Sequence, residues 1–182
     1  MTRVVVLGGT GYAGAHIARE AVVRGLEVTS WSRSLPESQV DGVAYRTGDL
    51  LDAKVLADAV SDADVVVGAL SPRGALDGEL RSLYATVAKL AEEAGVRLGV
   101  VGGAGSLLVS EGGPTVASLP DFPEAFASEA AQLTGVLEDL RSSDEALNWF
   151  FVSPAGGFGS YAPGEATGHY RLGGDVLLVD EN

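Results

Sequence analysis

The sequence contains no cysteine, and only two of its 182 residues are lysine, Lys54 and Lys89. The absence of cysteine excludes disulfide bonds, thiolate nucleophiles and thiolate metal sites. The His, Asp and Glu residues show no spacing typical of metal ligands, so no metal site is predicted.

Basic residues as a class are scarce. Twelve Lys and Arg stand against 25 Asp and Glu, which gives a formal net charge of −13 at pH 7. Such a charge disfavours nucleic acid and anionic membranes, and neither is expected as a partner. A local basic pocket for a phosphate is still compatible with it.

Long hydrophobic runs are missing as well, and no apolar segment approaches the roughly 20 residues of a membrane-spanning helix. The first apolar run, Val4–Leu7, is short, and Gly8 and Gly9 follow it instead of a cleavage pattern. It therefore predicts a buried strand rather than a signal peptide, and a cytoplasmic protein is expected.

The apolar content, 46% with 20% charged residues, suits one folded domain spanning residues 1–182. Short apolar runs alternate with amphipathic segments of helical length, which predicts a doubly wound parallel α/β sheet, the Rossmann fold. The predicted strands are Arg3–Gly8, Glu27–Ser32, Val43–Thr47, Asp64–Gly68, Val96–Gly102 and Asn148–Ser153. The predicted helices are Ala13–Arg24, Ala53–Val60, Gly78–Ala94 and Pro123–Arg141.

Two stretches interrupt this alternation. Ser106–Pro120 is rich in serine, glycine and proline and predicts a long loop. Residues 155–182 are predicted to form a small C-terminal elaboration of the domain, on the side where a small-molecule acceptor would bind. Two short strands are predicted in 170–179, joined through Gly173 and Gly174. Both stretches follow late strands, where a doubly wound sheet keeps its ligand crevice.

A glycine-rich loop connects the first strand to the first helix. It reads Gly8-Gly9-Thr10-Gly11-Tyr12-Ala13-Gly14. Glycine permits the tight turn, the approach of a pyrophosphate to the backbone and close helix packing, while the helix N-terminus offers free N–H groups. The loop predicts a dinucleotide site, and an ordinary glycine turn is the alternative.

Residues at the end of the second strand are predicted to bind the ribose end of the cofactor. It carries no acid that would bind the 2′-hydroxyl of NAD, whereas Ser32 and Arg33 suit the 2′-phosphate of NADP. NADPH is therefore expected to bind better than NADH, the alternative being that Arg33 is a solvated loop residue. Further cofactor contacts are predicted at Asp49, Leu50, Ala69, Leu70, Ser71, Gly102, Gly103 and Ala104.

The catalytic pair of alcohol-oxidising short-chain dehydrogenases, Tyr-x-x-x-Lys, is missing. Lys89 stands five residues after Tyr84, which puts the two side chains on different helix faces. Ser106 is the candidate catalytic residue, as a hydrogen-bond donor near the nicotinamide or the acceptor, with a plain loop serine as the alternative. Its Gly105-Ser106 context is not the nucleophile elbow of a hydrolase.

Five blocks in order carry a family resemblance: residues 8–14, 100–107, 121–123, 153–155 and 168–175. In these blocks the chain resembles the NADH-flavin reductases. These are NAD(P)H-binding, atypical relatives of the short-chain dehydrogenases, close to NmrA-like and biliverdin-reductase-B-like proteins. The resemblance implies a Rossmann fold, a nicotinamide dinucleotide and a flavin or similar small-molecule acceptor. It also implies a further strand and helix beyond Asn182.

Two functions are compatible with these features. The first is an NAD(P)H-dependent reductase that transfers hydride to a flavin or quinone-like acceptor, which requires orientation rather than a buried tyrosinate. The second is an NmrA-like redox sensor that binds NADP without turning it over. A sugar-nucleotide epimerase is disfavoured by the missing Tyr/Lys pair and by the short chain.

Overall fold

The computed structural model of the protein describes residues 1–179, so the last three residues of the predicted elaboration lie outside the described part. The strands are β1 (Arg3–Leu7), β2 (Glu27–Ser32), β3 (Val43–Thr47), β4 (Val65–Gly68), β5 (Arg97–Val101) and β6 (Trp149–Val152). The helices are α1 (Tyr12–Val23), α2 (Ala53–Ser61), α3 (Leu80–Ala94) and α4 (Ala127–Arg141).

The six strands form one parallel sheet in the order β3-β2-β1-β4-β5-β6. Val5 of β1 pairs with Thr29 of β2 on one side and with Val66 of β4 on the other. This strand order is that of the dinucleotide-binding Rossmann fold, and it confirms the predicted doubly wound sheet. The order reverses between β1 and β4, which is where such sheets open a ligand crevice at their carboxyl edge.

The two faces of the sheet are covered unequally. Helix α1 buries Ala18 and Ala21 against the face that carries Val4, Val6 and Val28. The other three helices pack on the opposite face, where buried side chains from α2, α3 and α4 form the larger core. No helix within residues 1–179 is long and apolar enough to cross a membrane.

The predicted hairpin in 170–179 is wrong. No strand forms there, and residues 175–177 lie beside the loop after β5 instead. Leu108 N–H donates to the Asp175 carbonyl, and Leu177 N–H donates to the Leu108 carbonyl, each at 2.8 Å. Arg141 at the end of α4 binds the Asp175 carboxylate at 2.8 Å. The segment therefore pairs with the loop after β5 and with the end of α4, and residues 170–179 form no hairpin.

The last helix begins later than its sequence predicts. A short 3₁₀ turn at Glu124–Phe126 follows Pro123, and α4 starts at Ala127. The loop 106–120 contains a further 3₁₀ turn at Val116–Ser118. These turns bring the start of α4 and the loop after β5 to the same edge of the sheet as the glycine loop.

Candidate functional site

The glycine loop leaves β1 through a backbone conformation that suits glycine. Gly8 has φ +84°, and a Cβ built there would lie 2.6 Å from the Ala69 carbonyl oxygen. Gly14 in the first turn of α1 packs directly on the Gly8 carbonyl. These two glycines are required by the close approach of helix, loop and neighbouring strand.

Gly11 differs from its neighbours because it faces open space. Its φ is −79°, and a Cβ there would meet only the Gly8 carbonyl oxygen at 3.4 Å. Gly11 also lines the cavity described below, together with Tyr12 and Ala13. A side chain at this position would therefore project into the crevice without disturbing the fold.

The N-terminus of α1 is left free to bind an anion. It has no side-chain cap and no acidic residue in its first turn. By contrast, α2 begins with Asp52, whose carboxylate accepts the Lys54 N–H at 2.8 Å. The uncapped N–H groups and the helix dipole of α1 suit a phosphate, and the open position at Gly11 gives it access.

The residues predicted to bind the ribose end of the cofactor, Ser32 and Arg33, lie at the end of β2. Arg33 is exposed, and its guanidinium makes no hydrogen bond or ion pair with residues 1–179. It lies beside Gly74, whose Cβ position is 3.7 Å from the arginine Nη1. The Ser32 hydroxyl is buried and has no partner in the described part of the chain. Within residues 1–179, Arg33 is thus an unpaired cation of the kind that can bind an anion such as a phosphate.

Asp49 and Leu50 lie after β3 and face different surroundings. Leu50 is buried in the larger core, so its side chain faces away from the crevice. Asp49 is exposed, and its carboxylate accepts the Leu51 N–H at 3.0 Å. The predicted contact of Leu50 with the cofactor would thus involve its backbone, whereas Asp49 keeps one carboxylate oxygen unbonded.

A cavity of about 530 Å³ continues from the glycine loop along the carboxyl edge of the sheet. Its volume is in the range of small-molecule sites. Of the residues predicted from the sequence, it brings together Gly11, Tyr12, Ala13, Ala69, Leu70, Ser71, Gly102, Gly103, Ala104 and Ser106. The other predicted residues lie outside its lining, in the glycine loop or near the ends of β2 and β3: Gly8, Thr10, Gly14, Ser32, Arg33, Asp49 and Leu50.

Ser106 lies in the cavity wall, but its hydroxyl is engaged locally. It donates to the Gly103 carbonyl at 3.2 Å, and the Ser153 hydroxyl lies 3.4 Å away. A serine hydroxyl has a single proton to donate. Donation to a bound molecule would therefore require Ser106 to release Gly103, so its catalytic role stays a prediction.

Tyr84, the tyrosine nearest in sequence to a lysine, is not available to substrate. It is 2% exposed, and its ring packs against Gly68 on the core side of β4. Burial raises the pKa of Tyr84 above its ordinary value, and the backbone of Leu70 opposes this more weakly. A phenol in such surroundings stays protonated and enclosed, so Tyr84 is not placed to exchange a proton with a bound molecule.

Aromatic side chains from two segments form the far end of the cavity. Phe122 and Phe126 precede α4, while Phe158 and Tyr161 come from the irregular segment after β6. The Phe158 ring meets the edge of Tyr12 with centroids 5.5 Å apart. The sequence does not predict this grouping of rings, because their proximity depends on the paths of the loops. The composition offered only one signal, namely that few aromatic residues occur and that Phe158, Tyr161 and Tyr170 fall in the second irregular stretch, residues 155–182.

The charged lining residues of the cavity are Arg73 and Glu129, which no sequence pattern predicts as site residues. Their side chains form an ion pair at 3.3 Å. Across residues 1–179, no group of three or more His, Asp or Glu side chains is placed to hold a metal ion. The cavity thus offers apolar surface and backbone groups rather than a cluster of acids and bases.

Comparison with known proteins identifies the family. A family model described as NAD(P)H-binding matches residues 8–175, from the glycine loop to the segment beside the loop after β5. The chain belongs to this NAD(P)H-binding family. The match agrees with the uncapped helix, the open position at Gly11 and the adjoining cavity, and it confirms the predicted nicotinamide cofactor.

Three relatives of the NAD(P)H-binding protein cover it almost completely. Bacillus subtilis (strain 168) YwnB is 33% identical over 98% of this chain and 82% of its own. The crystal structure of a Streptococcus pneumoniae TIGR4 protein described as a putative NADH-flavin reductase is 34% identical, with a TM-score of 0.80, over 100% of this chain and 84% of its own. That of a Burkholderia pseudomallei protein described as a putative exported protein is also 34% identical, with a TM-score of 0.82 and the same coverage.

Proposed function

We propose that the protein is an NADPH-dependent reductase that transfers hydride to a flavin or quinone-like acceptor. The observation that carries this proposal is the continuity between the glycine loop and a cavity with aromatic walls and a single ion pair. Hydride transfer to a conjugated acceptor requires orientation and exclusion of water more than a dedicated acid and base. The similarity to the Streptococcus pneumoniae protein supports the same chemistry.

In this proposal the protein binds NADPH and the acceptor and orients them relative to each other. The first turn of α1 holds the pyrophosphate through its free N–H groups, and Gly11 lets the phosphate reach them. The backbone after β4 and β5, at Ala69–Ser71 and Gly102–Ala104, forms the walls beside the nicotinamide end. NADPH, when bound, supplies the hydride. The apolar rings beyond exclude water from the acceptor side.

The preference for NADPH over NADH is part of the proposal. Arg33 is the unpaired cation at the end of β2, and no acid of β2 stands beside it to repel a 2′-phosphate. A charge-assisted hydrogen bond is worth about 1.5–3 kcal/mol. This corresponds to roughly tenfold to a hundredfold in affinity. Distant surface charges do not cancel the effect, because salt screens them beyond about 8–10 Å.

Anaerobic mixing of the protein with NADPH and FMN tests the function. The reductase proposal expects loss of the nicotinamide absorbance and of the oxidised-flavin absorbance, in equal amounts and at a rate proportional to protein. NADH should react more slowly at subsaturating concentration. Tight NADPH binding without oxidation of NADPH by FMN or by a quinone would overturn the proposal and would favour a redox sensor.

We also propose the cytoplasm as the location, since NADPH is an intracellular reductant. The alternative is export from the cytoplasm, because the similar Burkholderia pseudomallei protein is described as a putative exported protein. Fractionation of the source cells with an antibody against the protein checks it. Recovery with the cytoplasmic fraction is the expected result, and recovery from the envelope or the medium would contradict it.

A further inference from the structure

A single cation belongs to the described wall of the cavity. Among the described lining residues only Arg73 and Glu129 are charged, and the arginine Nη2 lies 3.3 Å from the glutamate Oε2. The Arg73 side chain is 71% exposed, whereas that of Glu129 is 28% exposed. The ion pair therefore lies where the cavity opens to solvent, and the arginine is its more accessible member.

The Arg73 guanidinium has donors that this ion pair does not use. Apart from the contact with Glu129, it makes no hydrogen bond or ion pair within residues 1–179. Arg81 shows the contrast, because its Nε and Nη2 contact both carboxylate oxygens of Asp139, at 2.6 and 2.7 Å. A guanidinium presents several N–H groups in a planar fork that fits a carboxylate or a phosphate. Arg73 thus retains the donors for a bidentate contact with an anion.

The backbone fixes where Arg73 and Glu129 lie, while their side-chain contact stays weak. Arg73 precedes a 3₁₀ turn at Gly74–Leu76, and its N–H donates to the Ser71 carbonyl at 2.8 Å. Glu129 lies in the first turn of α4, where the helix dipole favours a carboxylate. Because exposed ion pairs with a single contact add little stability, the Arg73 side chain can exchange Glu129 for a ligand at small cost.

The rest of the described wall determines which ligands would need this arginine. It presents aromatic and apolar side chains, such as Phe122, Phe126 and Leu133, and no second cation. An anionic group loses its hydration when it enters such a cavity, and a charged hydrogen-bond donor is the partner that best compensates for the loss. A neutral ligand has no such requirement.

We propose that Arg73 binds a carboxylate or phosphate group of the acceptor, so that the cavity selects anionic acceptors over neutral ones of the same shape. The inference rests on the proposed function, because it names the charge class of the acceptor for the same cavity. Glu129 limits this selectivity, since its carboxylate competes for the guanidinium and repels a second anion.

Ligands that differ only in charge test the selectivity without any hydride transfer. Naphthoate and its neutral amide, naphthamide, share one ring system and almost one shape when both are substituted at the same carbon. Naphthyl phosphate distinguishes a phosphate site from a carboxylate site. Each ligand is titrated by calorimetry into the protein with excess NADP⁺, at one ionic strength. The wild type should bind at least one of the two anions about tenfold more tightly than the amide.

Substitutions of the two partners should change the anion affinity in opposite directions. Arg73→Gln should weaken anion binding by about tenfold and leave amide binding unchanged, because only the anion uses the guanidinium. Glu129→Gln should tighten anion binding by about threefold, because it removes the competing carboxylate. A merely structural ion pair would not separate the two ligands. Arg24→Gln and Glu20→Gln are the matched controls, since that exposed pair on α1 lies outside the cavity.

Equal affinities for the anions and the amide in the wild type, or no saturable binding of either anion, would overturn the proposal. An Arg73→Gln variant that binds the anions normally would also overturn it, whether or not NADP⁺ binding is weakened. These titrations involve no hydride transfer, so the reaction of NADPH with FMN tests the reductase separately. Thermal unfolding shows whether each variant is folded. If Arg73→Gln is not folded, Glu129→Gln decides, and unchanged or weaker anion binding in that variant would contradict the proposal.

Discussion

The two ends of the crevice are built in different ways. At the glycine loop, contacts join backbone to backbone, as where the Gly11 N–H donates to the Gly8 carbonyl at 3.0 Å. At the acceptor end, contacts join side chains that are far apart in sequence, such as Phe126 and Tyr161. The first end is therefore preorganised by the backbone of one short loop, whereas the second depends on the packing of side chains from two segments. Preorganisation lowers the entropic cost of binding, so single substitutions should have their largest effects at the glycine loop.

The largest effect is expected at Gly11. Gly11→Val should weaken NADPH binding by well over tenfold, about 1.4 kcal/mol or more, because the side chain enters the space left for the pyrophosphate. Titration of NADPH measures this, and thermal unfolding should be nearly unchanged. Gly164→Val is the matched control, since Gly164 has no atom near its Cβ position and lies outside the cavity. A folded Gly11→Val variant that binds NADPH with normal affinity would show that the pyrophosphate does not bind at this loop.

The next effect is expected at Arg33. Arg33→Ala should weaken NADPH binding by about tenfold to a hundredfold and leave NADH binding unchanged, because only the 2′-phosphate uses the guanidinium. Paired titrations of both cofactors measure the difference. Arg24→Ala removes the same charge at the far end of α1, where Arg24 pairs with Glu20, and should change neither affinity. Equal weakening of both cofactors in Arg33→Ala would show that Arg33 is only a loop residue.

A smaller effect is expected at Ser106. Ser106→Ala should lower kcat for NADPH oxidation by about twofold to tenfold, the value of one neutral hydrogen bond, without changing the NADPH dissociation constant. Steady-state kinetics with FMN measure kcat. Ser118→Ala is the control, because the Ser118 hydroxyl makes a similar local bond to Thr115 outside the cavity. An unchanged kcat would show that Ser106 has no catalytic role and only a structural role in its loop.

The smallest effect is expected at Tyr84. Tyr84→Phe should leave kcat and its pH dependence unchanged within about twofold, because the buried phenol, whose pKa is raised, cannot exchange protons with a ligand. Reductase assays across the pH range check this. A loss of activity beyond tenfold, in a variant of normal thermal stability, would show that Tyr84 takes part in the reaction. That result would contradict the proposal of a site that works without a catalytic tyrosine.

The contrast between the two ends also explains what the sequence could predict. Strands, helices and the glycine loop follow from local apolar periodicity and from turn chemistry, so their positions were predictable to within a few residues. The path of residues 155–179 depends on single long-range contacts, such as the backbone pairing of Leu108 with Asp175 and Leu177. The approach of Tyr161 to Phe126 is of the same kind. No periodic pattern encodes such contacts, which is why the hairpin prediction was wrong and the aromatic rings were missed.

A crystal structure of the protein with NADP⁺ tests the central claim most directly, because it reports on both ends of the crevice at once. The account predicts the pyrophosphate on the N–H groups of the first turn of α1, beside Gly11. It also predicts the 2′-phosphate within ion-pair distance of Arg33 and the nicotinamide ring inside the cavity between the β4 and β5 ends. A dinucleotide bound away from the glycine loop, or with its nicotinamide ring outside the cavity, would contradict it.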